Sequence, residues 1–321
     1  MRQSAAMSAE RLRDLDEALL AMGVEPILVE EDDSLLVPCG ETVLHVQALG
    51  SGDAPYVRAR NLMLADVAGD GATLRRLAEE NVAAPAPVVW EREGGVVRLG
   101  GVVPDTAELG LAVPSWMWSL AYWGERRHAG LRRALGSGVT WAQAEREAHD
   151  FAHGPPEVPA VLRRPAPYPV RTPEQVRRRV DEIVPELAEL GETFRLGEGH
   201  HALRVDDATI EVGVRPRPYA ATLFVVTRLV GRVPLDDALA YRINGWNEDL
   251  GWAHFGWLRA EETVALLTQA PGPLVEPATL GPLLDLHAAL VRVHTDEILA
   301  EFGGVPALIA QAEGRGARGA G

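Results

Sequence analysis

The sequence predicts an α+β protein of two tandem modules, each an antiparallel sheet flanked by helices in the order α-β-β-β-α-β-β-α. Three observations predict it. Strand-like runs are grouped between helical stretches instead of alternating with them one for one, which points to antiparallel pairing. The second half repeats the order of the first, with the same landmark residues. A proline-rich stretch separates the halves. The chain has 321 residues, enough for two ordinary domains. The modules are placed at 8–132 and 172–304, with a linker over 133–171 and a disordered tail expected over 305–321.

In the first half, Ser8 can cap a helix whose Leu12, Leu15, Leu19 and Met22 recur at helical spacing until Gly23 ends it. Strand-like runs follow at Pro26–Val29, Leu35–Val37, Thr42–Leu49 and Tyr56–Val67. A short helix from about Thr73 to Asn81 comes next. Val88–Glu93 and Val96–Val103 then form a hairpin turning at Gly94-Gly95. The last helix begins near Ser115 and carries Trp116, Leu120 and Trp123 at helical spacing. Because Trp118 lies two residues from Trp116, both cannot sit centrally on one helix face. At least one is expected to be partly exposed or buried between the copies.

The second half opens with Thr172-Pro173-Glu174-Gln175, a capping box with proline at the first helical position. Val176, Val180, Ile183, Leu187 and Leu190 mark its buried stripe, and Pro185 is expected to kink it. Strands are expected at Thr193–Leu196, Ala202–Val205, Ala208–Val214 and Tyr219–Leu229, then a helix over about Asp236–Asn247. A hairpin of Ala253–Arg259 and Thr263–Gln269 follows. A final helix carries Leu283, Leu286, Leu290 and Val293 and stops at Gly303-Gly304.

The landmarks recur in the same order. Pro55-Tyr56 and Pro218-Tyr219 open the long strands, and Asn81 and Asn247 close the middle helices. Trp90 and Trp257 sit on the first strand of each terminal hairpin, and Pro104 and Pro271 end the hairpins. Together they make tandem duplication the best reading. Between the copies, Pro155-Pro156, Pro159, Pro165, Pro167 and Pro169 read as an extended, semi-rigid linker. A short helix is expected around Val139–Ala152.

Composition narrows function. With 47% hydrophobic and 24% charged residues the chain is globular in type. Its net charge of -15 repels phosphate backbones, so no nucleic acid is expected as a partner. No signal-like segment or membrane-length apolar run is read, so the expected location is cytoplasmic and no membrane partner is expected. The single cysteine, Cys39, sits in a predicted turn and cannot form an intrachain disulfide. All basic residues are arginine. Without a lysine, Schiff-base chemistry, pyridoxal phosphate anchoring and a Walker-type phosphate loop are excluded. No cofactor is expected.

The most distinctive stretch is Tyr241-Arg242-Ile243-Asn244-Gly245-Trp246-Asn247-Glu248. It resembles the signature helix of YbjN-like proteins, in which an apolar residue, Asn, a spacer, Trp and Asn close the middle helix. The flanking order resembles the fold shared by that family and the type III secretion chaperones. The resemblance covers about 172–304. Over about 8–132 it holds for order but not motif, since Leu77-Ala78-Glu79-Glu80-Asn81 keeps only the last Asn. It implies binding of an unfolded or extended polypeptide client, or of a partner protein, without catalysis, on a sheet face, groove or edge. It also implies pairing of the two copies as a pseudo-dimer. The candidate peptide-binding residues are Asn244, Trp246, Asn247, Trp252, Phe255, Trp257 and Trp118. Tryptophan at helical spacing is more often core, and Asn244 and Asn247 also suit helix capping.

Chemistry has weaker candidates. His149 and His153 have helical ligand spacing with Glu145 and Glu147 nearby. They support an alternative reading as a metal-dependent hydrolase, although the HExxH glutamate is missing. His200-His201 should point to opposite strand faces, and His287 and His294 are seven apart on one helix. Ser137, between two glycines, has no recognisable setting. A third reading is a structural scaffold without a ligand.

Overall fold

Apolar alternation builds an antiparallel sheet in each half, and the two sheets share one topology. The computed structural model describes residues 11–17, 19–20, 26–29, 34–51, 54–104, 112–144, 172–206, 208–215, 222–248, 250–272 and 275–310. In the first module, helix α1 covers residues 11–17 and 19–20. Strands β1 (Ile27–Val29), β2 (Ser34–Cys39), β3 (Thr42–Ser51) and β4 (Ala54–Ala65) precede α2 (Gly71–Glu80). Then come β5 (Val88–Glu91), β6 (Val96–Pro104), α3 (Ala112–Leu135) and β7 (Val139–Thr140). The second module has α4 (Pro173–Ile183), β8 (Glu192–Gly197), β9 (His200–Val205), β10 (Ala208–Arg215) and β11 (Thr222–Gly231). It continues with α5 (Asp237–Asn247), β12 (Ala253–Leu258), β13 (Thr263–Pro271), α6 (Pro277–Phe302) and β14 (Val305–Pro306).

The first sheet runs β1-β2-β3-β4-β6-β5 with β7 beside β4, and the second runs β8-β9-β10-β11-β13-β12 with β14 beside β11. The strands correspond one for one. The long strands break register at equivalent places, between Leu62 and Leu64 and between Arg228 and Val230. Just beyond, Asp66 and Arg232 both take positive φ, at 55° and 59°. Strand pairing then fixes the residue equivalences used below.

Each module has one more strand before its middle helix than the order α-β-β-β-α-β-β-α allows, and one short strand after its last helix. Val139–Thr140 is a strand paired with Leu64 and Ala65, where the sequence suggested the start of a helix. Val305–Pro306, expected in the tail, pairs with Val230 and Gly231. The proline-rich stretch and the His149/His153 pair lie outside the described residues.

Local chemistry starts the helices. Asp70 and Asp236, at equivalent positions, cap α2 and α5 by accepting from the backbone N–H of Thr73 and Leu239, each worth about 1 kcal/mol. Thr172 and Gln175 complete the predicted capping box. Pro185 does not merely kink α4; the helix stops at Ile183 and a 3-10 stretch carries the chain to Leu190. In the first core, Leu12, Leu15 and Leu19 of α1 and Trp116, Leu120 and Leu131 of α3 cover the sheet. In the second, Val176 and Val180 of α4 and Leu280 and Leu284 of α6 do the same. Trp118 is buried in the first core too, stacked on Tyr122. Its helix also reaches β13 of the other module, and Trp116 and Trp118, two residues apart, are both buried. Among the described residues, no helix is long and apolar enough to cross a membrane.

Candidate functional site

Polar groups gather at the seam between the modules, built around the inner edge strands β5 and β12, and at a cleft by the outer strand β8.

The seam begins with an asparagine at the end of each middle helix. Asn81 takes a hydrogen bond from the N–H of Val88 at 2.6 Å and gives one to its carbonyl at 3.3 Å. Asn247 does the same with Phe255, at 2.7 and 2.9 Å. A side-chain amide thus pairs with a strand edge as another strand would. Trp90 and Trp257, two residues further along, each donate Nε1–H to a carbonyl, Val67 and Val233, at 3.0 Å.

A third amide joins the modules. Asn244 of α5 accepts from Trp90 N–H at 2.8 Å and donates to its carbonyl at 3.0 Å. The edge of β5 is therefore held at Val88 by its own module and at Trp90 by the other. Arg98 donates to the Glu248 carbonyl at 2.8 Å, and His254 Nε2 lies 2.9 Å from the Asn81 carbonyl. Helix α2 packs on α5 and β12, and its Ala78 joins Leu239, Ile243 and Phe255 in one apolar cluster. Gly101 and Gly251 let the backbones meet: a Cβ on either would run into the other module's main chain, at the Leu250 and Val102 carbonyls. The two copies pair within one chain.

The residues singled out by sequence fall mostly in this seam. Asn247 and Phe255 are fully buried, Asn244 and Trp257 nearly so. Trp246 is half-buried, its ring 4.9 Å from Phe255 and 5.1 Å from His294. Trp252 is half-buried against the cores of both modules. Trp118 is not with them; it lies in the first core.

Two histidines of the second module are fully buried, His287 in its core and His254 at the seam. His287 of α6 sits between the hydroxyls of Thr227 and Thr268, 2.8 and 2.9 Å from its two ring nitrogens. Burial, with a smaller push from His254, drives its pKa down to about 3. Burial drives that of His254 down to about 4, against its bond to the Asn81 carbonyl. Cys39 is buried as well, and desolvation pushes its thiol up to about 12, so the thiolate is suppressed. Among the described residues no group of three or more His, Cys, Asp or Glu is placed to hold a metal ion.

The outer cleft was not foreseen. It has a volume of about 660 Å³ and is lined by Asp181, Glu192, Thr193, Arg195 and His201, with Pro185 and Gly191. Asp181 stands one residue past Val180 of the buried stripe of α4. Its carboxylate takes hydrogen bonds from Gly199 N–H at 2.9 Å and Arg195 at 2.7 Å, and lies 2.6 Å from His201 Nε2. Desolvation alone would raise its pKa; these partners outweigh that and hold it below the usual carboxylate value. His200 and His201 do face opposite ways: His200 lies by Phe224, on the far side of the sheet from Asp181. No signal in the sequence links Asp181 to His201, because their meeting depends on how α4 lies across β9.

A scan against protein-family models finds no match to the chain, and a search of curated proteins finds no match either.

Proposed function

We propose that the chain is a non-catalytic, polypeptide-binding protein that takes an extended client segment along its outer sheet edge, chiefly at β8. One observation carries this reading. The outer strands of both sheets present apolar side chains to solvent: Ile27 and Leu28 on β1 are 55% and 56% exposed, and Phe194 and Leu196 on β8 are 44% and 55%. Proteins that do not use a sheet edge for pairing blunt it with charge, proline or a cover. An extended peptide adds to such an edge through main-chain hydrogen bonds, with side chains giving selectivity. The inner edges are poor candidates, because asparagine amides and the other module already occupy them.

The resemblance of Tyr241–Glu248 to the YbjN-like signature helix, and through it to secretion chaperones, agrees with this reading. The seam residues then serve as the fixed frame and the outer edges as the working surface. The lone, buried Cys39 suits a reducing, cytoplasmic setting.

A permanently unfolded protein, reduced and alkylated α-lactalbumin, provides the test. It should bind the full chain, and Phe194→Arg with Leu196→Arg should remove binding while the folded structure is kept. Failure of the unmodified chain to bind this probe or any extended peptide ends the reading. A scaffold without a ligand is then favoured by the burial of Asn247, Phe255 and Trp257 in the seam.

A further inference from the structure

The cleft beside β8 contains two polar atoms left without partners among the described residues, Nδ1 of His201 and Oγ1 of Thr193, both shielded from solvent. His201 is 2% exposed. A buried polar group without a partner is destabilising, so two lining one cleft mark a place where something else completes the bonding. Strand register puts them on one face. His201 pairs with Arg195 and Thr193 pairs with Leu203, so Thr193, Arg195 and His201 project to the same side as diagonal or direct neighbours.

Their chemistry is defined by what already holds them. Asp181 accepts from Gly199 N–H, from Arg195 and from His201 Nε2. With Nε2 turned to the carboxylate, Nδ1 is the ring nitrogen left to bond elsewhere. The Thr193 hydroxyl is free to donate. One face of β8 and β9 therefore holds a ring nitrogen and a hydroxyl whose bonding capacity is unused, the hydroxyl able to donate or accept and the nitrogen to do either according to its proton. A planar carboxamide carries both a donor and an acceptor, so it can complete both groups whichever way each is protonated, with hydrogen bonds of about 2.9 Å. Glu192 at the same cleft disfavours a carboxylate in its place.

The first module has no such wall. Leu28 pairs with Leu35 where Arg195 pairs with His201, and Leu35 is fully buried. The polar set is particular to the second copy, although a leucine serves the same fold position.

We propose that this cleft is a side-chain pocket for a carboxamide, that of Gln or Asn, borne by an extended polypeptide lying along β8. The assignment rests on the edge-binding reading above and adds a selectivity to it. A site built to hydrogen-bond a polar group discriminates strongly against an analogue that lacks it, because its own groups stay unpaired.

The test uses the full chain and five acetylated decapeptides of alternating Thr and Val with terminal arginines, identical except for one central residue: Gln, Asn, Leu, Glu or Arg. Fluorescence anisotropy reads affinity, and the ring nitrogen resonances of His201 report its tautomer and bonding. The Gln or Asn peptide should bind at least tenfold more tightly than the Leu peptide and shift Nδ1. Thr193→Val, nearly isosteric, and His201→Leu should each reduce that preference to under threefold while the Leu peptide binds as before. Equal binding of all five peptides, in the unmodified chain and the variants, overturns the pocket and leaves edge binding intact. Tightest binding by the Glu or the Arg peptide also overturns it. Binding of none overturns the edge reading and the pocket with it.

Discussion

The two modules agree where they touch each other and differ where they face outward. At the inner edges Asn81 and Asn247 pair with the backbones of Val88 and Phe255, and Trp90 and Trp257 reach equivalent carbonyls. At the outer edges Leu28 and Leu35 stand where Arg195 and His201 stand. The seam itself is uneven. Asn244 bridges to Trp90 from α5, while the equivalent residue of α2 is Ala78, which contributes only apolar contact. Each copy needs its inner edge closed, so the amide device is retained in both. Nothing in the shared fold requires a polar outer wall, and there the copies have parted.

The largest difference between the copies should appear in acid. His254 and His287 both belong to the second module, and the first has Pro87 in place of His254, with Asn61 and Gly101 in place of Thr227 and Thr268. Unfolded, a histidine titrates near ~6.5; folded, these two stay neutral down to about 4 and about 3. Between those values the unfolded chain binds more protons than the native one. Stability is therefore complete above pH ~6.5 and is lost as pH falls toward the folded values. The two together should remove on the order of 5 kcal/mol by pH ~4. Amide exchange should show β11, β13 and α6 opening before β4, β6 and α3. His287→Gln, which keeps hydrogen-bonding capacity without the charge, should flatten the pH slope. Simultaneous opening of both modules with an unchanged slope in the variant would remove the distinction.

The asparagine devices come next in size. Asn247→Ala leaves the N–H and carbonyl of Phe255 unpaired in a buried place, a loss of about 3 kcal/mol. Asn81→Ala should cost a similar amount through Val88. Asn244→Ala makes the seam composition of α5 like that of α2 and should cost about 2 kcal/mol. Urea unfolding checks all three. If the seam holds the modules as one cooperative unit, Asn244→Ala lowers the single midpoint. A split into two transitions would mean that the copies fold independently and that the bridge only docks them.

Much of this frame was legible in the sequence, and the limits of that reading are physical. The recurrence of Asn81 with Trp90 and Asn247 with Trp257 marked the duplication, because one local device demands those residues in that order, nine residues apart in one copy and ten in the other. Helix caps at Asp236 and Thr172 were readable for the same reason. The roles of Asn244, Phe255 and Trp257 were less accessible. An aromatic residue that lines a pocket and one that seals an internal seam have the same periodicity, and only the docking of α2 on α5 separates them. The pairing of Asp181 with His201 was hidden altogether. It joins a helix and a strand through a packing angle that no residue spacing encodes. The strand Val305–Pro306 was missed because two residues of pairing leave no periodic trace.

The smallest effect is the sharpest comparison of the shared device. Trp90→Phe and Trp257→Phe each remove one Nε1–H bond to a main-chain carbonyl while keeping an aromatic ring, a change of about 1 kcal/mol. If the seam is symmetric in energy as well as geometry, the two losses match to within about 0.5 kcal/mol. The surroundings favour a slightly larger cost at Trp257. It is 7% exposed, while Trp90 is half-buried, so the abandoned Val233 carbonyl has less access to water than that of Val67. Trp90 has a separate constraint, because its ring lies against Gly69, where any Cβ would clash, and Leu235 stands at the equivalent place in the second module. A loss at Trp90 well above that at Trp257, measured by urea unfolding, would mean that ring placement at Gly69 and the Asn244 bridge, rather than the indole bond, set the strength of the first copy's inner edge.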